Sequence, residues 1–455
     1  MAKTASRPIP SPQGRLITGH LREASRRPLE YSLEIARTYG DVVQLRLGPT
    51  RMIMVNHPDH VKRVLQEKHS HYGRPAFVAL MRKVVGNGLL FSEGDSWLRQ
   101  RRIMQPSFHR DRIAGFASIM GSAVTQTGQR WRTRDDASAP LDLTRESTEL
   151  ISAIIGPVLF ANDLGQVAPE LGPAIRVLLE WLNQRTLNPV APPLFIPTAS
   201  NRRFNAAKQL FTETIARLIA ERRAAMAAAD SGGDLLSMLL AARDAETGEG
   251  MSDQQLQDEV FTFLVAGLET TTAALQWTLI LLSQHRAALE RVRSEQQRVC
   301  GTAPPRAEQL AQMPYTRMVI DESLRLYPPV FGLTRRVVED DVIADYAIPK
   351  GCSLFVSPYA LHRHPQLWSK PDDFAPELHF AQEVVQQRSR FAYIPFGAGP
   401  RQCIGNALAL MELQVLVPTL VSAFDFSLVD AHGVKPETSM TLRPKGPVRM
   451  HARPV

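Results

Sequence analysis

Cysteine is scarce in this chain: 455 residues hold three, Cys300, Cys352 and Cys403. So few, so scattered, cannot form a disulfide framework, and the expected compartment is the cytoplasm. Lysine is scarce as well, nine among the 53 Lys and Arg. No apolar stretch runs unbroken for the roughly 18 residues of a spanning helix. The opening MAKTASRPIPSPQGRLITGH has prolines where a signal peptide or anchor needs apolar residues, so no membrane anchor is expected. Repeats and low-complexity blocks are missing. Helix-turn-helix, zinc-finger and aromatic-strand signatures are missing too, so the net charge of +8 points to an acidic protein partner rather than nucleic acid. There is no G-x-S-x-G elbow for hydrolysis. His69/His71 and His362/His364 fit no H-E-x-x-H or Cys/His metal pattern and are expected at the surface or as caps.

What remains is ordinary globular composition, 44% hydrophobic and 22% charged, enough for a large core. A flexible, proline-rich segment over 1–20 is expected to precede one continuous domain over 21–455. Asp41-VVQLRLG, a Pro49-Thr50 turn and Arg51-MIMVN alternate with period two and predict a strand pair. From Pro58 to about Arg325 the apolar spacing is helical. Short β-rich runs return between Arg335 and Ser357, broken by a turn at Ile348-Pro349-Lys350-Gly351, and again from Phe424 to Val455. The fold class is mainly α with a small β region.

Two places carry chemistry. Ser252 and Gln255 begin a long helix whose apolar residues run from Val260 through Leu282. At its middle stands Ala266-Gly267-Leu268-Glu269-Thr270-Thr271-Thr272, locally poor in helix propensity. That weakness has two readings: a functional opening, or a glycine at a close helix crossing with threonines bonded back to their own turn. The second place is Phe396-Gly-Ala-Gly-Pro-Arg-Gln-Cys-Ile-Gly405, a glycine-rich turn leading into an apolar helix. Cys403 lies near the helix start, where free N–H groups favour a thiolate. Gly399 and Gly405 leave room for a flat cofactor. Cys300 and Cys352 read as inert core thiols.

FGAGPRQCIG resembles the haem-binding loop of the cytochrome P-450 family. Glu322-Ser-Leu-Arg325 resembles its Glu-x-x-Arg pair, Ala266 to Thr271 its oxygen-activation segment, and Trp97-Leu-Arg-Gln-Arg101 its Trp-x-x-x-Arg motif. The resemblance runs from about Pro8 to the tail. It implies the P-450 fold, with haem b between the long central helix and the helix after the cysteine. It implies Cys403 as the axial iron ligand, with Phe396, Gly399, Arg401 and Gly405 around the cofactor. Trp97, Arg101, Arg335 and Arg401 would hold the propionates. Ala266 and Gly267 would make room for dioxygen, with Glu269 and Thr270 delivering protons to it. Phe374-Ala-Pro-Glu-Leu-His-Phe380 departs from the family's Phe-x-Pro-Glu-Arg-Phe: Leu378 cannot join the Glu322–Arg325 pair, which leaves His379 to substitute or the triad incomplete.

The implied activity is a monooxygenase inserting one oxygen atom from dioxygen into a lipophilic small molecule. Phe77, Leu80, Val84, Phe263, Val330, Phe331 and Leu333 form the expected pocket. Arg401 two before the cysteine and Tyr327-Pro-Pro329 look more like the terpene- and fatty-acid-oxidising branches, which favours a terpenoid, then a fatty acid or steroid. With no flavin, iron–sulfur or nucleotide motif of its own, the chain needs NAD(P)H electrons through a separate reductase and ferredoxin. Arg99, Arg101, Arg102 and Arg110 offer a basic face for that acidic donor. The alternatives are a peroxide-driven or isomerising haem-thiolate enzyme and a non-catalytic haem-binding protein.

Overall fold

The computed structural model describes residues 7–134, 136, 139–161, 171–187, 192–228, 233–430 and 433–455. They form two compact units, one from residues 1–80 and 317–403, the other from 81–316 and 404–455.

The first unit is built on a five-stranded sheet ordered Val42–Leu47, Thr50–Val55, Ser353–Val356, Leu333–Val337, Tyr72–Gly73. The period-two alternation seen in the sequence divides its two faces. Val42, Ile53, Val55, Leu354 and Val356 join one apolar cluster, while Val43, Leu45 and Met54 join another with Tyr31 and Ile35 of the helix Pro28–Tyr39. Both faces are therefore covered, and Ile53, Met54 and Val55 are buried. Pro28 and Pro58 open their helices at positions where a missing N–H costs nothing. Of the proline-rich segment, the described part is tied to the sheet edge: Gln44 donates to the Pro10 carbonyl at 2.8 Å and Gly48 to that of Thr18 at 3.0 Å.

Glu322 and Arg325 are fully buried in this unit, three apart on one helix. Arg325 donates to both carboxylate oxygens, Nε to Oε2 at 2.7 Å and Nη2 to Oε1 at 2.8 Å. Its remaining donors reach the carbonyls of His362, Pro371 and Asp373. His379 completes the group, its Nδ1 2.9 Å from Glu322 Oε1 and its Nε2 2.6 Å from the Ser369 carbonyl. Arg388, which the sequence reading did not single out, lies 4.2 Å from the Trp368 ring centroid and donates to the His379 carbonyl.

His362 and His364 are buried rather than at the surface, while His362 stands at the C-cap of the short helix Pro358–Leu361. His362 Nε2 accepts the Ile394 N–H at 2.9 Å, and burial keeps the ring neutral by pushing its pKa well down. His364 meets Asp41 at 3.0 Å.

The second unit is a helical body around the helix Asp253–Gln284, whose Ser252 cap accepts the Gln255 N–H. The helices Leu143–Phe160, Ala199–Ala227 and Asn406–Ala423 pack on it. A three-stranded sheet (Leu141–Asp142, Arg449–Pro454, Phe424–Leu428) and the pair Pro436–Thr438 and Leu442–Pro444 complete the unit, with Trp277 donating to the Leu442 carbonyl. Asp253–Gln284 and Asn406–Ala423 are long and apolar enough to cross a membrane, but 72% and 56% of their apolar windows lie buried within the protein, as in core helices.

Burial opposes ionisation of Glu322, yet its bonds to Arg325 and His379 outweigh burial and hold the carboxyl below its usual 4.5. Its stabilisation is thus present above about pH 4.5 and fades as pH falls through the lower folded value. Replacing Glu322 with Gln should lower unfolding free energy by about 3–5 kcal/mol near neutrality. Denaturant titrations across pH should show that deficit narrowing in acid. A deficit unchanged by pH would contradict the ionised pair.

Candidate active site

The loop Phe396–Cys403 belongs to the first unit and is closed on itself. The Cys403 N–H donates to the Phe396 carbonyl at 2.9 Å, and the Gln402 N–H to that of Gly399 at 3.0 Å. Gly399 has φ +72°, and a Cβ there would lie 1.8 Å from the Leu65 carbonyl oxygen. Glycine at 399 is therefore required by the loop itself, a different cause from room for a cofactor. At Gly405 a Cβ would meet nothing within 4 Å, so open space does lie over that backbone. Cys403 is exposed and in no disulfide. Cys352 and Cys300 differ from it: burial pushes both thiols up, in keeping with inert roles. Phe396 and Arg401 are half-buried.

Arg335, on the strand Leu333–Val337, is half-buried and donates to its neighbour's carbonyl, Thr334, at 3.0 Å. It has no carboxylate partner among the described residues. Burial and the adjacent Arg74 charge push its pKa down to about 10. A desolvated cation in this state suits an anionic group.

In the second unit the central helix is buried from Leu256 to Leu282 except at Gln257–Asp258 and over a longer stretch at its middle. Ala266 is exposed, and Gly267, Leu268, Glu269 and Thr270 are half-buried. The helix stays unbroken there. Both features of the structural reading are present: a Cβ on Gly267 would lie 2.8 Å from Ile155 Cδ1, and Thr270 Oγ1 donates to the Ala266 carbonyl at 2.5 Å. Glu269 is not an ion-paired surface carboxylate, since its Oε1 accepts from Thr441 at 3.1 Å and Ser439 at 3.5 Å. Those hydroxyls were illegible in sequence, being some 170 residues away.

The helix Asn406–Ala423 is buried from Met411 onward, but its apolar beginning, Ile404 to Leu410, is only half-buried. Leu268, Ile404, Leu408, Trp97 and Met440 all border one apolar cluster. Within the second unit, the half-buried stretch Gly267–Thr270 and the half-buried helix start therefore border a shared apolar cluster, which suits a flat, apolar group. In the first unit, the exposed Cys403 is of the residue type that holds iron.

A scan against family models matches the cytochrome P-450 model over residues 9–451. The chain belongs to the cytochrome P-450 family. It is 32% identical to a cyclooctatin synthase of Streptomyces melanosporofaciens over 98% of this chain and 95% of that protein. It is 33% identical to a cyclooctat-9-en-7-ol 5-monooxygenase of the same organism, over 89% and 86%. The crystal structure of the cytochrome P-450DA haem domain superposes with a TM-score of 0.88 at 27% identity, covering 99% and 98% of the two chains. This P-450 is accordingly a haem-thiolate oxidoreductase.

The basic face of the P-450 is less uniform than its sequence suggests. Arg102 forks onto the buried Asp244 at 2.8 Å through Nε and Nη2, Arg99 lies 3.5 Å from the same carboxylate, and Glu246 and Glu249 join them. These two arginines are internally neutralised, a correction to the four-arginine face. Arg110 is exposed, and Arg101 and Arg112 line an open groove of about 760 Å³ with Leu98 and His109.

The expected pocket residues divide between the two units. Phe77 is 51% and Val330 37% exposed, while Phe331 and Leu333 are half-buried in the first unit. The Leu80 side chain lies outside the described residues. Val84 and Phe263 are buried in the second unit, Phe263 with its ring 5.3 Å from Phe108, and Val84 beside a cavity of about 250 Å³ that Phe263 does not line.

Glu259, two turns before the half-buried stretch, is buried, with Oε2 accepting the Leu89 N–H at 2.9 Å. Burial raises its pKa to about 8. The folded protein keeps it protonated where the unfolded chain would ionise it, so its contribution is intact below about pH 4.5 and is lost as pH rises through 8. Glu259→Gln retains the carbonyl acceptor and should gain stability relative to the parent progressively over that interval, by about 1 kcal/mol or more at alkaline pH. Parallel pH–stability curves for the two proteins would refute this.

Proposed function

We propose that this P-450 inserts one atom of dioxygen into a lipophilic, terpenoid-type substrate, using electrons from a separate acidic ferredoxin and its reductase. The observation that carries the reading is the exposed Cys403 thiol in a self-closed glycine loop, immediately before a helix whose apolar start is uncovered. Haem b, when bound there, supplies the iron at which dioxygen is reduced. Cys403 would hold that iron as a thiolate, the donor whose electron density suits such a group to activating dioxygen. Trp97, Arg101, Arg335 and Arg401 hold the propionates. The unmatched charge of Arg335 supports its place in that set.

Thr270 and Glu269 are the proton-handling pair. The Thr270 hydroxyl now serves the Ala266 carbonyl. Exchanging that acceptor would let it donate into the open side of the helix. Glu269 Oε1, held by Thr441 and Ser439, is fixed one residue away to resupply the proton.

Two relatives whose names include cyclooctatin and an unsaturated alcohol derived from its ring system support a terpenoid over a fatty acid. Arg401 before the cysteine and the Tyr327-Pro-Pro sequence resemble the terpene- and fatty-acid-oxidising branches alike. For the donor, the groove beside the exposed Leu98, where Arg101, Arg102 and Arg112 outnumber the one acid Asp111, suits an acidic partner with an apolar contact.

An optical titration tests the core of this. Under carbon monoxide, the reduced haem-loaded protein should give the strongly red-shifted Soret band of thiolate ligation, and Cys403→His should keep haem but lose both that band and oxygen insertion. A histidine-type band in the parent would remove the assignment. Ferric protein titrated with terpenes, fatty acids and steroids should change spin state most with terpenes. Thr270→Ala should go on consuming reductant while releasing hydrogen peroxide in place of product, and unaltered coupling would exclude Thr270 from proton delivery.

A further inference from the structure

In the first unit the chain makes a closed turn over Arg15–Gly19 before the short helix Leu21–Arg26. Leu16 and Ile17 at its apex are 92% and 83% exposed, and Leu21 is 46% exposed. The helix buries none of its side chains. Isolated exposed aliphatics are ordinary, but a cluster of them at a protruding apex marks an interaction site.

The apex is fixed in place. Arg15 and Gly19 exchange both backbone hydrogen bonds at 3.0 Å, and Gly19 bridges on to Leu47 of the sheet. The Arg46 guanidinium clamps the carbonyls of Arg15 and Leu16, and the buried His20 accepts the Arg46 N–H at 2.9 Å. Gly19, at φ +60°, could carry no side chain, because the Arg46 carbonyl oxygen lies 2.1 Å from where its Cβ would be. The two aliphatic side chains are thus held out by the sheet edge, with little order left to impose on binding.

Around them arginine outnumbers acid, with Glu23, Glu30 and Glu34 interspersed. Arg15, Arg22, Arg26, Arg27 and Arg46 are all exposed. Glu23 lies 3.8 Å from Arg15 and Glu34 2.8 Å from Arg27. Arg22 and Arg26, four apart on one helix face, have no carboxylate partner among the described residues. Protruding aliphatics ringed by arginine, without aromatic anchors or a concave seat, match a lipid surface better than a protein hot spot.

We propose that this apex docks the protein on an anionic bilayer, with Leu16, Ile17 and Leu21 entering the acyl boundary and the arginines meeting lipid phosphates. The bilayer would then also be the phase from which a lipophilic substrate is drawn.

Co-sedimentation of the full-length, haem-loaded protein with vesicles tests this. It should bind vesicles containing phosphatidylglycerol, bind pure phosphatidylcholine vesicles far less, and weaken as salt is raised. The double variant Leu16→Ser/Ile17→Ser, and separately Arg22→Glu/Arg26→Glu, should each lose about tenfold or more in partitioning. Val455→Ser, at another exposed aliphatic, should lose nothing. Leu16→Trp should add blue-shifted emission that brominated acyl chains quench. All these positions are exposed, so folding is not at stake, and carbon monoxide spectra would verify it. Equal binding to neutral and anionic vesicles, or partitioning indifferent to both double variants, would overturn the proposal. So would Leu16→Ser/Ile17→Ser abolishing self-association without changing lipid binding, which would assign the apex to a second copy of the chain.

Discussion

A buried ion pair survives only if every donor and acceptor it brings inside is met, and the first unit is arranged around that requirement at Glu322 and Arg325. An unmet member would leave an isolated charge in a medium that cannot solvate it. Meeting them takes backbone carbonyls at 362, 371 and 373, the Ala375 N–H at 2.8 Å, and the His379 ring. Residues 362 to 379 have little regular structure of their own, so their path is set by where Arg325 and Glu322 need partners. His362 extends the group by accepting the Ile394 N–H, two residues before the cysteine loop begins. The ion pair and the Phe396–Cys403 loop are thereby joined through one neutral imidazole.

The second unit depends on a different constraint. A helix as apolar as Asp253–Gln284 is stable only where other elements cover it, and they do so except over Ala266–Thr270. Glycine at 267 allows the close approach of Ile155 on one side, while Thr270 returns its hydroxyl to the helix and keeps that hydrogen bond internal. The features that read as structural in the sequence and those that read as functional are the same atoms. In the proposed function, a threonine bonded to its own turn would be a proton donor held in readiness, since the bond it must break is local and one acceptor substitutes for another.

The family fold, the strand pair, the long capped helix and the cysteine loop were legible because each rests on local pattern: period two, spacing of three and four, a cap, a glycine turn. What depended on distant chain was not. Asp244 as the counter-charge of Arg102, Ser439 and Thr441 as the holders of Glu269, and the burial of His362 all require residues tens to hundreds of positions apart to meet. A run of arginines looks uniformly basic in sequence, yet Arg99 and Arg102 turn inward to acids while Arg112 lines an open groove. The substrate pocket was least legible, because apolar side chains carry no directional label: Val84 and Phe263 lie in the core, while Phe77 faces outward.

The departure at Leu378 shows how a motif can change while its physical demand stays. The helix Pro376–Phe380 turns Leu378 outward, 43% exposed, and His379 and Phe380 inward. With five residues from Pro376 to Phe380 in place of the family's four, the inward position passes from 378 to 379. A leucine there would leave a Glu322 oxygen with one partner fewer, whereas a histidine brings a ring nitrogen to the carboxylate at shorter reach than arginine. Arg388 lies against Trp368 and Phe380 and closes the His379 carbonyl. The demand that the family pattern meets with one long side chain is here divided between a short ring at the carboxylate and a long cation over the aromatic floor.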